Sequence, residues 1–127
     1  MILLADDDKD FREAVSLNLQ AAGFDTAVAK GGNEAIQKAK ELQPDLILMD
    51  INMPPGPTGI DAALELKKIP ETKEIKIVFL SGLDNPWPAM GGEKGEVSRE
   101  MGMVDFFVKS GDFEDLIKKV KGILGAK

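Results

Sequence analysis

Asp6, Asp7 and Asp8 follow the apolar run Met1 to Ala5, Asp50 follows Leu46 to Met49, and Lys109 follows Val104 to Val108. Each charged group thus ends an apolar run short enough to be a buried strand, and open parallel sheets bind ligands at the carboxyl ends of their strands. Carboxylates crowded on such a rim repel one another and stay ionised together only where a cation neutralises them. Magnesium suits the task, because it takes one or two carboxylates in octahedral geometry together with waters and phosphate oxygens. The candidate ligands are Asp7, Asp50 and a backbone carbonyl near Asn52, with Asp6 acting through water or by orienting its neighbour. Phosphoryl transfer depends mostly on positioning and charge stabilisation. An acceptor oxygen on Asp50, a metal, the Lys109 ammonium and the Ser81 hydroxyl are a sufficient set for it, and the product is an acyl phosphate on Asp50.

The elements that must position these groups alternate strand and helix from one end of the chain to the other. After the strand Met1 to Ala5, Phe11, Ala14, Val15, Leu19 and Ala22 recur at helical spacing, Asp8 or Asp10 can cap that helix, and Gly23 can stop it. Phe24 to Ala29 reads as a weaker strand, followed by a helix burying Ala35, Ile36, Ala39 and Leu42 and ended by Pro44. Leu46 to Met49 is the run a central, doubly covered strand requires. Pro54-Pro55-Gly56-Pro57 forms a rigid loop, then Thr58 and Asp61 stand at capping-box spacing before a helix carrying Ile60, Ala63 and Leu64. Ile75 to Leu80 is the fourth strand, Val104 to Val108 the fifth, and Phe113, Leu116, Ile117, Val120 and Leu124 form the stripe of the last helix. Between Leu83 and Gly102 the pattern fails at Asn85-Pro86-Trp87-Pro88 and Gly91-Gly92, so the fourth helix region is expected to be irregular.

Composition removes several chemistries. The chain of 127 residues reads as one domain, 1–127, without a second output domain. With no Cys there is no thiolate catalysis or disulfide, and with no His there is no imidazole base or zinc site, so any metal is held by oxygen and a phosphohistidine donor must be another molecule. The formal charge of −6, from 22 acidic and 16 basic residues, argues against the domain gripping nucleic acid and favours protein partners. No long apolar span or secretory leader is legible, which points to a cytoplasmic protein without a membrane association.

Asp6-Asp7-Asp8, Asp50-Ile51-Asn52-Met53-Pro54 with Gly59, Ser81-Gly82, and Phe106-Phe107-Val108-Lys109 together resemble the receiver domain of two-component response regulators. The resemblance covers nearly the whole chain, and it is specific as a combination although each piece alone is weak. It implies an α/β, flavodoxin-like (βα)5 fold, a doubly wound parallel sheet of strand order 2-1-3-4-5. It further implies that Asp50 accepts a phosphoryl group from the histidine of a partner kinase or histidine phosphotransfer protein. Asp6 and Asp7 would be the acidic pair for Mg2+, to which Asn52 adds its carbonyl. Ser81 would be the switch hydroxyl, Lys109 the ion-pair partner of Asp50 or its phosphate, and Phe106 the aromatic that changes rotamer on activation. The downstream protein target would dock on the fourth helix, fifth strand and fifth helix.

Two positions depart from the family pattern. Ser110 stands where proline, often cis, is usual, and a cis bond before serine costs about 3 kcal/mol, so a trans loop and a different aim for Lys109 are expected. Leu83 is apolar at a position that tunes attack by water on the acyl phosphate, from which slow hydrolysis is expected. Taken singly, the Asp triplet is a helix cap, Lys109 a solvated strand end and Ser81 a turn former, and only their joint spacing raises them; Phe106 reads as a core aromatic or the switch, and Trp87 as a plug over apolar surface or a partner-binding anchor. Other classes weighed are a pseudo-receiver that binds protein without taking phosphate, an aspartyl-nucleophile phosphatase and a flavin-binding electron carrier. The phosphatase wants a second carboxylate where this chain has Asn52, and the flavin carrier wants hydroxyls and amides where it has Asp6 to Asp8.

Overall fold

The structure, a computed structural model, describes residues 1–51, 58–81, 103–108 and 112–125, of which Ser81, 103–106 and Val108 are described by backbone alone. Five strands form one parallel sheet: β1 (Ile2–Ala5), β2 (Thr26–Ala29), β3 (Leu46–Asp50), β4 (Lys76–Ser81) and β5 (Met103–Val108), in the order β2-β1-β3-β4-β5. The helices are α1 (Lys9–Ala21), α2 (Gly32–Leu42), α3 (Gly59–Lys68) and α4 (Phe113–Leu124), the last being the fifth helix of the sequence reading. The segment expected to hold an irregular fourth helix lies outside the described residues.

Why the central strands are apolar without interruption is visible in the two cores. Side chains alternate across a strand. Leu3, Ala5, Ile47, Met49, Ile77 and Phe79 meet the α2 and α3 residues Ala35, Ala39, Ala62, Ala63 and Leu66 on one face. Ile2, Leu4, Leu46, Leu48, Val78 and Leu80 meet Val15 and Leu19 of α1 and Leu116 and Val120 of α4 on the other. Every residue of β1 and β3 is buried, as a doubly covered sheet demands. The register pairs Ala5 with Met49 and Asp50 with Leu80, which brings the carboxyl ends of β1, β3 and β4 level. Asp6 and Asp50 therefore leave the sheet side by side.

Several boundaries differ from the sequence reading. β2 begins at Thr26 rather than Phe24, because Gly23 takes φ 98° and the Phe24 amide closes onto Leu19 of α1 at 3.0 Å, spending Phe24 on the turn. The α2 helix ends at Leu42 in a left-handed Gln43 (φ 50°), before Pro44 is reached. Leu42, read as part of the buried face of α2, and Leu64, one of the apolar residues that α3 carries, are both 41% exposed. Leu42 is the terminal residue of α2, while Leu64 lies five residues past the buried Gly59, about 140° round the helix from it. Residues Ala62, Ala63 and Leu66 form the α3 stripe instead.

Candidate functional site

The three aspartates after β1 divide their work. Asp8 is the N-cap of α1: its Oδ1 accepts from the amides of Asp10 (3.0 Å) and Phe11 (3.3 Å), satisfying donors that the first helical turn leaves open. Asp6 is fully buried, its amide continuing the ladder to Ala29 at 3.1 Å and its Oδ1 accepting from the Asp8 amide at 2.8 Å. Asp7 is exposed. One residue of the triplet thus ends the strand, one starts the helix, and the one between them reaches solvent.

Asp50 is the last residue of β3 and is 5% exposed. The backbone that follows is fixed on two sides, since the Ile51 amide donates to Leu80 at 3.0 Å and the Ile51 carbonyl accepts from the Gly59 amide at 2.8 Å. The second contact seats the start of α3 on the residue after Asp50. It requires glycine, because a Cβ at position 59 would collide with the Asp50 carbonyl oxygen. Thr58 and Asp61 form the expected capping box: Thr58 Oγ1 accepts from the Asp61 amide at 3.1 Å and Asp61 Oδ2 from the Thr58 amide at 3.4 Å.

Together these loops bring one carboxylate oxygen from each of Asp6, Asp7 and Asp50 within 4.8 Å of one another. Such a group can hold a metal ion, and its donors suit a hard one: all are carboxylate oxygens, two buried and one open to solvent. Asp7 is the member of the group that solvent reaches. Of the other expected site residues, Asn52 and Lys109 lie outside the described residues, as do Leu83, Trp87 and Ser110. Ser81 is the final residue of β4, paired with Val108, and Phe106 of β5 is paired with Phe79, so the backbone places both at strand positions near this rim.

One residue was missed by the sequence reading. Arg12 is 9% exposed, and its Nη1 donates to the Asp6 carbonyl at 2.8 Å. The signal was present: Arg12, Val15 and Leu19 stand at helical spacing as the buried residues of α1, and a cation in an apolar stripe needs a partner. Away from the rim, Lys67 of α3 donates to the carbonyls of Lys73 (3.0 Å) and Ile75 (2.7 Å), tying that helix to the entry of β4, and burial pushes its ammonium pKa down.

The model of the response regulator receiver domain family matches residues 2–121. The DNA-binding dual master transcriptional regulator RpaA of Synechocystis sp. is 31% identical over 123 residues, which are 97% of this chain and 48% of that protein. The chain therefore spans about half the length of that relative. Among solved structures, chemotaxis protein CheY4 of Vibrio cholerae is 28% identical with a TM-score of 0.82, and each chain is covered to 96%. The response regulator TrrA of Thermotoga maritima, crystallised in complex with Mg2+ and BeF, is 31% identical with a TM-score of 0.80 and the same 96% coverage of both chains.

Proposed function

This chain belongs to the response regulator receiver domain family, and on that premise we propose that Asp50 takes a phosphoryl group in a Mg2+-dependent reaction that switches a protein-binding face. Receiver domains are signalling domains that work with histidine kinases, and they are not enzymes of the usual kind. The donor in this reading is the phosphohistidine of a kinase or of a histidine phosphotransfer protein. A carboxylate oxygen of Asp50 attacks phosphorus as the bond to the imidazole nitrogen breaks, leaving an aspartyl phosphate here and a neutral imidazole, once protonated, on the donor. The observation that carries the reading is the convergence of the Asp6, Asp7 and Asp50 carboxylates at the end of β1 and β3.

Asp6, Asp7 and Asp50 would hold the ion, with the Asn52 carbonyl as a further oxygen. When bound, Mg2+ supplies charge neutralisation at the phosphoryl oxygens. Burial of Asp6 and Asp50 fixes where their oxygens lie, so the acceptor meets the phosphoryl group without reorganising. Lys109 pairs with Asp50 before transfer and with its phosphate after it. The added charge and acceptor oxygens draw Ser81 toward the phosphate, Phe106 fills the space that Ser81 leaves, and the face formed by the segment between β4 and β5, by β5 and by α4 changes its partner preference. The whole chain, residues 1–127, acts in this reading as one receiver unit in the cytoplasm. Nucleic-acid binding, which the name of RpaA records for that protein, is assigned to no residue here, in keeping with the −6 charge. Among the described residues no helix is long and apolar enough to cross a membrane.

Incubation with acetyl phosphate and Mg2+, followed by intact mass, tests the proposal. A phosphoryl adduct that needs Mg2+ and is lost in Asp50→Ala is expected. A chain that binds Mg2+ yet never gains mass would support a pseudo-receiver, the alternative that Ser110 in place of proline leaves open although the acceptor-site residue types are all retained.

A further inference from the structure

We propose that Arg12 is a positioning residue for the metal centre, setting the direction in which Asp6 and Asp7 present their carboxylates; the proposal rests on the receiver reading above. Burying a guanidinium is expensive, and a cation kept inside a protein is held there by specific hydrogen bonds. Arg12 is 9% exposed, and the hydrogen bond it makes to the rim is to a peptide carbonyl, that of Asp6, at 2.8 Å. That carbonyl belongs to the peptide unit joining Asp6 to Asp7, so anchoring it fixes the plane from which the Asp7 side chain departs. The opposite end of the turn is held by the backbone alone, since the amide at position 12 makes the first helical bond of α1 to the Asp8 carbonyl at 3.0 Å, whatever the side chain there. With Asp8 capping α1 and its own amide bound to Asp6 Oδ1 at 2.8 Å, the Asp6-Asp7-Asp8 turn is held between β1 and the first turn of α1, and the Arg12 side chain fixes its β1 end at the Asp6 carbonyl.

Two effects of Arg12 oppose each other and can be separated. Its positive charge lies beside the acidic cluster and disfavours a divalent cation; its Nη1 hydrogen bond to the Asp6 carbonyl holds the geometry that the cation needs. Removing both at once therefore tests which is larger. Groups that orient metal ligands from behind commonly account for about 10-fold to 100-fold in metal affinity. A lysine retains the charge but presents a flexible point donor in place of the guanidinium.

Calorimetric titration of the full chain with Mg2+, for wild type, Arg12→Lys and Arg12→Gln, tests the idea, with melting temperatures taken in EDTA and in saturating Mg2+. Positioning predicts that both variants bind Mg2+ about 10-fold or more weakly while folded, and that their melting temperatures are raised less by Mg2+ than that of wild type. Tighter binding in Arg12→Gln with unchanged binding in Arg12→Lys would make Arg12 a mere counter-charge and overturn the proposal. Equal affinity in all three proteins, or variants that stay unfolded in saturating Mg2+, would assign it a purely structural role and overturn it too. Failure of wild type itself to bind Mg2+ would instead defeat the receiver reading, so the two failures are distinguishable.

Discussion

Asp50→Asn should make the metal-free protein more stable and remove most of the stabilisation that Mg2+ confers. Asp50 and Asp6 are buried, and their nearest oxygens lie within 4.8 Å of each other and of Asp7. At that separation and an effective dielectric of about 20, two unit charges repel by about 3.5 kcal/mol. The exposed Asp7 contributes far less, on the order of 1 kcal/mol or below, because water screens it. Against this stand the cost of placing amide donors in a buried site, about 1–3 kcal/mol, and the loss of the proposed pairing with Lys109. The net expectation is a gain of about 1–2 kcal/mol, equivalent to about 3–8 °C in melting temperature for a chain of this size. Thermal denaturation followed by circular dichroism in EDTA measures it. Repeating the melts in excess Mg2+ should raise wild type and leave Asp50→Asn nearly unmoved. An unchanged or lowered melting temperature for Asp50→Asn in EDTA would refute the reasoning, since it would mean that these carboxylates do not strain the folded chain.

Gly59→Ala forces a methyl group against the Asp50 carbonyl, and should cost about 1–3 kcal/mol in urea denaturation while slowing phosphoryl uptake from acetyl phosphate. Thr58→Ala removes one half of the capping box at the same helix start and should cost about 1 kcal/mol by the same assay. Glu34 has its pKa lowered, chiefly by accepting the Lys30 amide at 2.6 Å, so it contributes stability above its ordinary value of 4.5 that is lost as pH falls through the lower folded value. Glu34→Gln should therefore flatten the acid limb of the stability curve below about pH 4.5, by a few tenths of a kcal/mol because the side chain is 41% exposed; an acid limb identical to that of wild type would show the bond to be inert.

The parallel sheet was legible because uninterrupted runs such as Leu46 to Met49 leave few alternatives to a doubly covered strand, whereas its strand order came only with the family resemblance, since the runs do not say which strands are neighbours. The convergence of Asp6, Asp7 and Asp50 followed from the same logic, since strand ends in register place what comes after them on one rim. Capping was legible where a side chain serves its own helix, as at Thr58 and Asp61. It was ambiguous between Asp8 and Asp10 because either could accept from the first turn, and the structure decides for Asp8, whose Oδ1 accepts from the amides of Asp10 and Phe11. Leu42 misled because apolar type alone does not say whether a residue at the end of a helix still meets the sheet. Arg12 escaped notice because its acceptor is a backbone carbonyl six residues earlier, and a peptide oxygen leaves no mark in the residue types.

Reductive trapping tests the central claim most directly: after phosphorylation with acetyl phosphate and Mg2+, borohydride converts an aspartyl phosphate to homoserine, which peptide mapping then locates. The account predicts a single converted residue, Asp50, and none when Mg2+ is withheld. Conversion at Asp6, Asp7 or any other acidic residue, or a phosphorylated protein in which Asp50 is untouched, would contradict it.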